Sequence, residues 1–318
     1  MFSWFRHLFS KSPSLKDLMP PVRGRVTENA PLAQLTWLGV GGPAEVLFEP
    51  ADKDDLAFFL KAKVNTPVTV IGGGSNLLIR DGGIPGVVIR LTSGFKKIRV
   101  DGDKIICDAA VKNTEIAQAA LEAGLSGFEF MVGIPGTIGG AVRMNAGAHG
   151  GCVADRLVEL NGLEQSGAEI RLTRDEIPFD YRENALPSGW IFTDVVLKGI
   201  PDTQESIAAR MTEFKKLRKQ SQPTGVRTAG SMFKNPVGLK AWQLIEKAGC
   251  RGLRVGNAIV SEKHANFFVN LGGATARDFE TLAEEVQKRV WETSEINLEW
   301  EVRRVGVKPK AFSTFGGK

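Results

Sequence analysis

A chain of 318 residues with 42% apolar content is too long for one ordinary core and divides into two or three domains. Its 41 basic and 36 acidic residues leave a net charge of +5, but the signs are interleaved without a long single-sign block, which argues against nucleic acid and suits a small anionic ligand. Three cysteines, Cys107, Cys152 and Cys250, contain no CxxC pair, so neither a disulfide framework nor a metal site is expected and the compartment is reducing.

Residues 1–20 carry Phe2, Trp4, Phe5 and Phe9 and read as a disordered extension closed by Pro20 and Pro21. No uncharged apolar run approaches the roughly 18 residues of a membrane helix, so no stable membrane insertion is expected and the protein reads as cytoplasmic. A first unit, residues 21–92, alternates β-rich segments at 45–49, 68–71 and 87–91 with a helix at 52–63, acidic at its start and lysine-rich at its end. A second unit, residues 93–205, opens with strands at 98–101 and 104–108 around Gly102 and Asp103. A helix capped by Thr114 and ended by Gly124 follows, then strands at 157–160, 169–172 and 192–197. Residues 206–219 form an amphipathic helix with Ile207, Met211, Phe214 and Leu217 on one face, stopped near Pro223. The main domain boundary is placed at this helix. The last unit, residues 206–307, adds a helix at 240–248, a strand at 266–270, a helix at 278–293 with Phe279, Leu282, Val286 and Val290 in register, and a strand at 298–305 able to pack back on the first units. Residues 308–318 read as a tail.

Two stretches are too poor in side chains to build a core. Nine of the 28 residues 124–151 are glycine, concentrated in Gly133, Ile134, Pro135, Gly136, Thr137, Ile138, Gly139, Gly140 and continuing to Asn145 and Gly147. A second loop, Gly72, Gly73, Gly74, Ser75, Asn76, follows the apolar run 68–71. Successive exposed amides form concave anion sites, so two such loops suit a nucleotide-like cofactor with more than one phosphate. A dinucleotide fingerprint would need a third glycine at Leu77 and a helix after it, where a strand is expected, and no Gly-Lys-Ser/Thr triplet closes a P-loop. Phosphates would therefore be met by amides in turns and not by a helix end.

With Thr36, Trp37 and the run Val40, Gly41, Gly42, Pro43, Ala44, these loops resemble the FAD-binding half of the UDP-N-acetylenolpyruvoylglucosamine reductase family. The segments 179–184, 230–236, 263–267 and 298–306 are similar to its remaining signatures, and the resemblance spans residues 22–307 in the family's order. It implies an α+β fold: a p-cresol-methylhydroxylase-type FAD-binding domain of two α+β subdomains plus a C-terminal α+β substrate-binding domain. It implies non-covalent FAD, NADPH as co-substrate, a UDP-sugar substrate and a monomer. NADPH would reduce the flavin, which then reduces the enolpyruvyl ether of the sugar nucleotide to UDP-N-acetylmuramate for peptidoglycan synthesis. The residues matched to the cofactor site are Gly72, Gly73, Gly74, Ser75, Asn76, Gly133, Ile134, Pro135, Gly136, Thr137, Gly139, Gly140, Asn145 and Gly147.

The same resemblance implies Arg182 as the clamp on the substrate carboxylate, Ser231 as proton donor and Glu301 as the third catalytic residue, with Tyr181, Lys234 and Asn235 contacting substrate. Periodicity alone puts Glu299 and Glu301 on one side of a strand and does not choose between them; the motif selects Glu301. His149 and His264 have no partner at metal-ligand spacing; a structural role is expected for His264, and packing on the flavin for His149. Gly39 departs from the family, which often has a basic residue there. Tyr181 is the only tyrosine, so the chain resembles the shorter branch without a lid-loop tyrosine.

Overall fold

The computed structural model describes residues 13–62 and 64–309, so the expected extension at 1–12 and the tail at 310–318 lie outside the described residues. Residues 13–20 are ordered, contrary to expectation: a short turn at Lys16–Leu18 lets Leu15 and Met19 pack on the first core. Among the described residues no helix is long and apolar enough to cross a membrane.

The first core forms around strands β1 (Arg25–Pro31), β2 (Pro43–Glu49), β3 (Val68–Ile71) and β5 (Ile84–Arg90), in the order β1-β2-β5-β3. β2 and β3 both pair parallel with β5, and β5 is buried on both faces, as its run of β-branched residues dictates. Helix α1 (Lys53–Lys61) starts where Asp52 accepts a hydrogen bond from the Asp55 amide at 2.9 Å, and it buries Leu56, Phe59 and Leu60 against Val87 and Ile89. Between β3 and β5, strand β4 (Leu77–Ile79) leaves this sheet.

The second core is an antiparallel sheet ordered Glu169–Thr173, Leu157–Leu163, Ile191–Lys198, β7 (Lys104–Asp108), β6 (Ile98–Asp101). Helix α2 (Asn113–Glu122) begins one residue before Thr114, so Thr114 is not its cap; the Glu115 carboxylate accepts from the Lys112 amide instead. Helix α3 (Ile138–Arg143) rises from the large glycine loop, where only turns were expected: Ile138, Ala141 and Val142, at helical spacing, bury in this core and outweigh two glycines. Helix α4 (Gln204–Ser221) is longer than expected because the Thr203 hydroxyl accepts from the Ser206 amide. Its Ile207 and Met211 belong to the second core, so the helix goes with that unit and the change of core falls after it, not at 206.

The third core holds helix α5 (Ala241–Lys247), helix α6 (Ala276–Ser294) and the small sheet Arg254–Val255, Ala258–Val260, Phe268–Asn270. α6 buries Phe279, Leu282, Val286 and Val290, each contributing about 1.5–3 kcal/mol by burial. Leu38, Val40 and Leu78 reach in from the first unit to complete this core. The strand expected at 298–305 is formed only at Arg303–Val305, parallel to β4. Leu298 and Val302 are buried as the alternation requires, but the backbone between them follows residues 232–234: the Glu301 amide donates to Met232 O (2.9 Å) and the Lys234 amide to Glu299 O (2.8 Å).

Candidate active site

The two glycine loops meet at the floor of one cleft of about 780 Å³. A Cβ on Gly73 would stand 2.7 Å from Gly136 Cα, and one on Gly136 (φ +92°) would stand 2.7 Å from Ser75 Oγ. These glycines thus serve loop-on-loop packing, which the Ser75 hydroxyl completes by donating to Pro135 O at 3.2 Å. Gly140 is different: it borders the cleft, and a Cβ there would meet nothing within 4 Å. The protein itself does not require a glycine at that position, so the space above it fits a close-lying ligand such as the expected flavin nucleotide. Gly140→Leu should therefore fold normally, leucine being the better helix former, yet bind FAD at least about tenfold more weakly in a fluorescence titration. Unchanged affinity would assign that space to something other than the cofactor.

Of the residues matched to the cofactor site, Gly72, Gly73, Gly74, Ser75, Asn76, Gly133, Ile134, Pro135, Thr137, Gly139, Gly140 and Gly147 border the cleft. Gly136 and Asn145 do not. Asn145 is a tie between loops, its Oδ1 accepting from the Ala154 amide (3.1 Å) and its Nδ2 donating to Asp180 O (3.0 Å). Asn76 links the loop 72–76 to the third unit through Nδ2, which donates to Glu301 O at 3.0 Å.

Arg182, Ser231 and Glu301, far apart in sequence, all border the same cleft. Arg182 sits at the tip of the hairpin formed by Phe179–Asp180 and Glu183–Asn184, with φ +60°. Its Nε lies 3.0 Å from Glu301 Oε1, an ion contact without hydrogen-bond alignment, and this buried Nε has no other partner among the described residues. The guanidinium stands 5.1 Å from the Tyr181 ring centroid. The flanking residues also touch the third unit: Asn235 Nδ2 donates to the Tyr181 hydroxyl (3.3 Å) and Lys234 Nζ to Glu183 Oε2 (2.8 Å). Asn235 Oδ1 meanwhile accepts from the Ala241 amide at the start of α5, so half of its capacity is structural. Tyr181, Lys234 and Asn235 do not border the cleft. Burial raises the Glu301 carboxyl above its ordinary value, outweighing the opposing Arg182 and Lys234 cations.

Among the described residues Glu301 is the only acidic side chain on the cleft wall, against four arginines, Arg143, Arg182, Arg218 and Arg303. The cleft is thus built for anions. Burial, and to a lesser degree Arg303, pushes Arg143 down to about 10, so it remains cationic at neutral pH. Burial also lowers Arg218, which has no ion pair among the described residues. Sequence reasoning missed Arg143, Arg218 and Arg303 as cleft residues. For Arg218 a signal existed: Ile207, Met211, Phe214 and Arg218 follow the 4-3-4 spacing of one helix face, whereas Leu217 is 40% exposed.

The histidines divide. His149 borders the cleft and stacks on Phe214 with ring centroids 4.2 Å apart. His264 lies 4.7 Å from the Phe267 ring, its Nδ1 accepts from the Asn266 amide, and burial lowers its pKa, so its contacts are those of a packed side chain. Gly39 leaves room for Arg227, whose Cδ would be 3.0 Å from a Cβ there.

A family model described as an FAD binding domain matches residues 44–173, and one described as the UDP-N-acetylenolpyruvoylglucosamine reductase C-terminal domain matches residues 222–305. The UDP-N-acetylenolpyruvoylglucosamine reductase of Paramagnetospirillum magneticum is 52% identical over 302 residues, covering 95% of this chain and 98% of that protein. The one of Azorhizobium caulinodans is 51% identical, covering 93% and 96%. The crystal structure of the Thermus caldophilus UDP-N-acetylenolpyruvylglucosamine reductase superposes with a TM-score of 0.78 at 39% identity, covering 89% of this chain and 99% of that one.

Proposed function

The chain belongs to the UDP-N-acetylenolpyruvoylglucosamine reductase family, and from that premise we propose that it reduces UDP-N-acetylglucosamine enolpyruvate to UDP-N-acetylmuramate at the expense of NADPH. It is an FAD-dependent oxidoreductase with the α+β flavin-binding architecture expected from its sequence. The observation that carries the reading is the convergence of Arg182, Ser231 and Glu301 on a cleft floored by both glycine loops. These reactants, and the supply of a peptidoglycan precursor, imply a cytoplasmic reaction.

When bound, FAD supplies the hydride chemistry, accepting from NADPH and delivering to the terminal carbon of the enolpyruvyl double bond. The glycine loops would hold it by backbone amides, with Gly140 giving it close approach. Arg182 offers its donor fork to the substrate carboxylate and holds the negative charge that develops there. Its Nε, unsatisfied apart from the Glu301 contact, is consistent with a role completed by substrate. Ser231 donates a proton to the carbon beside that carboxylate, and Glu301 assists Ser231 or stabilises the protonated product of that step. Lys234 and Asn235 do not border the cleft and would meet the sugar nucleotide only after their contacts with Glu183 and Tyr181 give way and their side chains turn toward it.

The test is a visible spectrum of purified protein under anaerobic conditions. A flavin band that NADPH bleaches and the enolpyruvyl sugar nucleotide restores is expected. Restoration by oxygen alone would favour an oxidase of the same fold, and colourless protein a sugar-nucleotide binder. Arg182→Lys keeps the charge but loses the planar fork, so restoration by substrate should slow about 10- to 100-fold with bleaching preserved. Near-normal restoration removes Arg182 from the mechanism.

A further inference from the structure

We infer that Arg143 is a positioning residue for Arg182, locking the turn that carries Arg182 to the helix that rises from the flavin-binding loop. Arg143 is a cation without an ion pair among the described residues. Its donors go instead to backbone carbonyls beyond Arg182: Nη1 to Leu186 O (3.1 Å) and Pro187 O (3.2 Å), Nη2 to Trp190 O (2.9 Å). Its guanidinium lies 4.2 Å from the Phe192 ring centroid. Asn184 returns the tie, its Nδ2 donating to Val142 O (2.8 Å) and Arg143 O (3.2 Å). The guanidinium meets these carbonyls from two nitrogens held in one plane, Nη1 for Leu186 and Pro187 and Nη2 for Trp190, whereas a lysine would have to offer all its donors from a single point. Arg182 itself is held at φ +60°, a conformation that persists only where the surroundings impose it. Since α3 starts at Ile138, within the larger glycine loop, these bonds fix the Arg182 fork relative to the floor of the cleft.

The inference rests on the function proposed above and is tested on the holoenzyme. Arg143→Gln should slow restoration by the enolpyruvyl sugar nucleotide about tenfold, more than it slows bleaching by NADPH, and speed amide hydrogen exchange across residues 180–190. Asn184→Ala cuts the same tie from the other side, at a residue that does not border the cleft, and should give the same slowing and faster exchange with flavin content and bleaching by NADPH within about twofold. The double variant should be no slower than the slower single one, because both remove one structure. Arg143→Lys should recover little. Should Arg143→Gln fail to fold, Asn184→Ala decides alone. Unchanged exchange across the turn, additive effects, or equal loss of both half-reactions overturns the inference. A parent enzyme that the sugar nucleotide does not reoxidise overturns the functional reading itself, and this is seen before any variant is made.

Discussion

Ser231→Ala should leave the flavin bleaching normally with NADPH while slowing its restoration by the enolpyruvyl sugar nucleotide about 10²- to 10⁴-fold, the range for loss of a positioned proton donor. The substitution removes one oxygen and little else. Ser231 is fixed by its backbone, bridged to Phe267, while the adjacent Met232 amide donates to Asn266 O at 2.7 Å, so the chain path does not depend on the hydroxyl. Among the described residues no hydrogen bond occupies that hydroxyl, which leaves it available to a substrate in the cleft. Stopped-flow traces of the two half-reactions provide the check. If both slow together, the serine shapes the cleft and another group delivers the proton.

Glu301→Gln should separate stability from turnover. Burial lifts the Glu301 pKa in the folded protein above its value in the unfolded chain. Between those two values the folded state retains a proton that the unfolded state has released, so stability falls as pH rises through that interval. Glutamine carries no such proton. The variant's stability relative to its parent should therefore grow as pH rises from the ordinary carboxylate range and level off above the raised pKa. At neutral pH it should be at least as stable as the parent, although Arg182 loses its counter-charge, because burial outweighs the pairing at this site. Restoration of the flavin by substrate should nevertheless slow about 10²-fold or more, since an amide can neither release nor take up the proton. Melting temperatures from pH 4 to 8 beside the half-reaction rates measure both effects. A stability difference that stays flat across that range would contradict the raised pKa.

What could be read from the sequence depended on how local the cause was. Strands β6 and β7 fall at their expected residues because Gly102 and Asp103 form a turn between two short β-prone runs. α6 was legible from four apolar residues in register, with Thr275 accepting from the Asp278 amide at its start. The segment 298–305 misled for a physical reason. Leu298 and Val302 alternate as in a strand, but they dip into the third core while the intervening backbone bonds to residues 232–234, so burial has period two without a continuous ladder. Glu301 is placed by that irregular path, which no local pattern encodes. The three missed arginines share a different cause: an arginine on a helix or short strand looks solvent-exposed until tertiary structure folds a cleft over it. The glycines were legible as a group, but not their division of labour between packing on each other, as at Gly73 and Gly136, and facing open space, as at Gly140.

The hydrogen bond from Asn76 to Glu301 joins residues 225 positions apart. Translation at about 5–20 residues per second needs roughly 10 to 45 s to cover that distance. A ribosome-bound intermediate can therefore complete much of its first two cores with an empty place where its carboxylate belongs. The cleft wall is complete only once residues 301–305 have been made, and a chain truncated before residue 301 would lack both that carboxylate and the parallel strand Arg303–Val305 that borders the cleft.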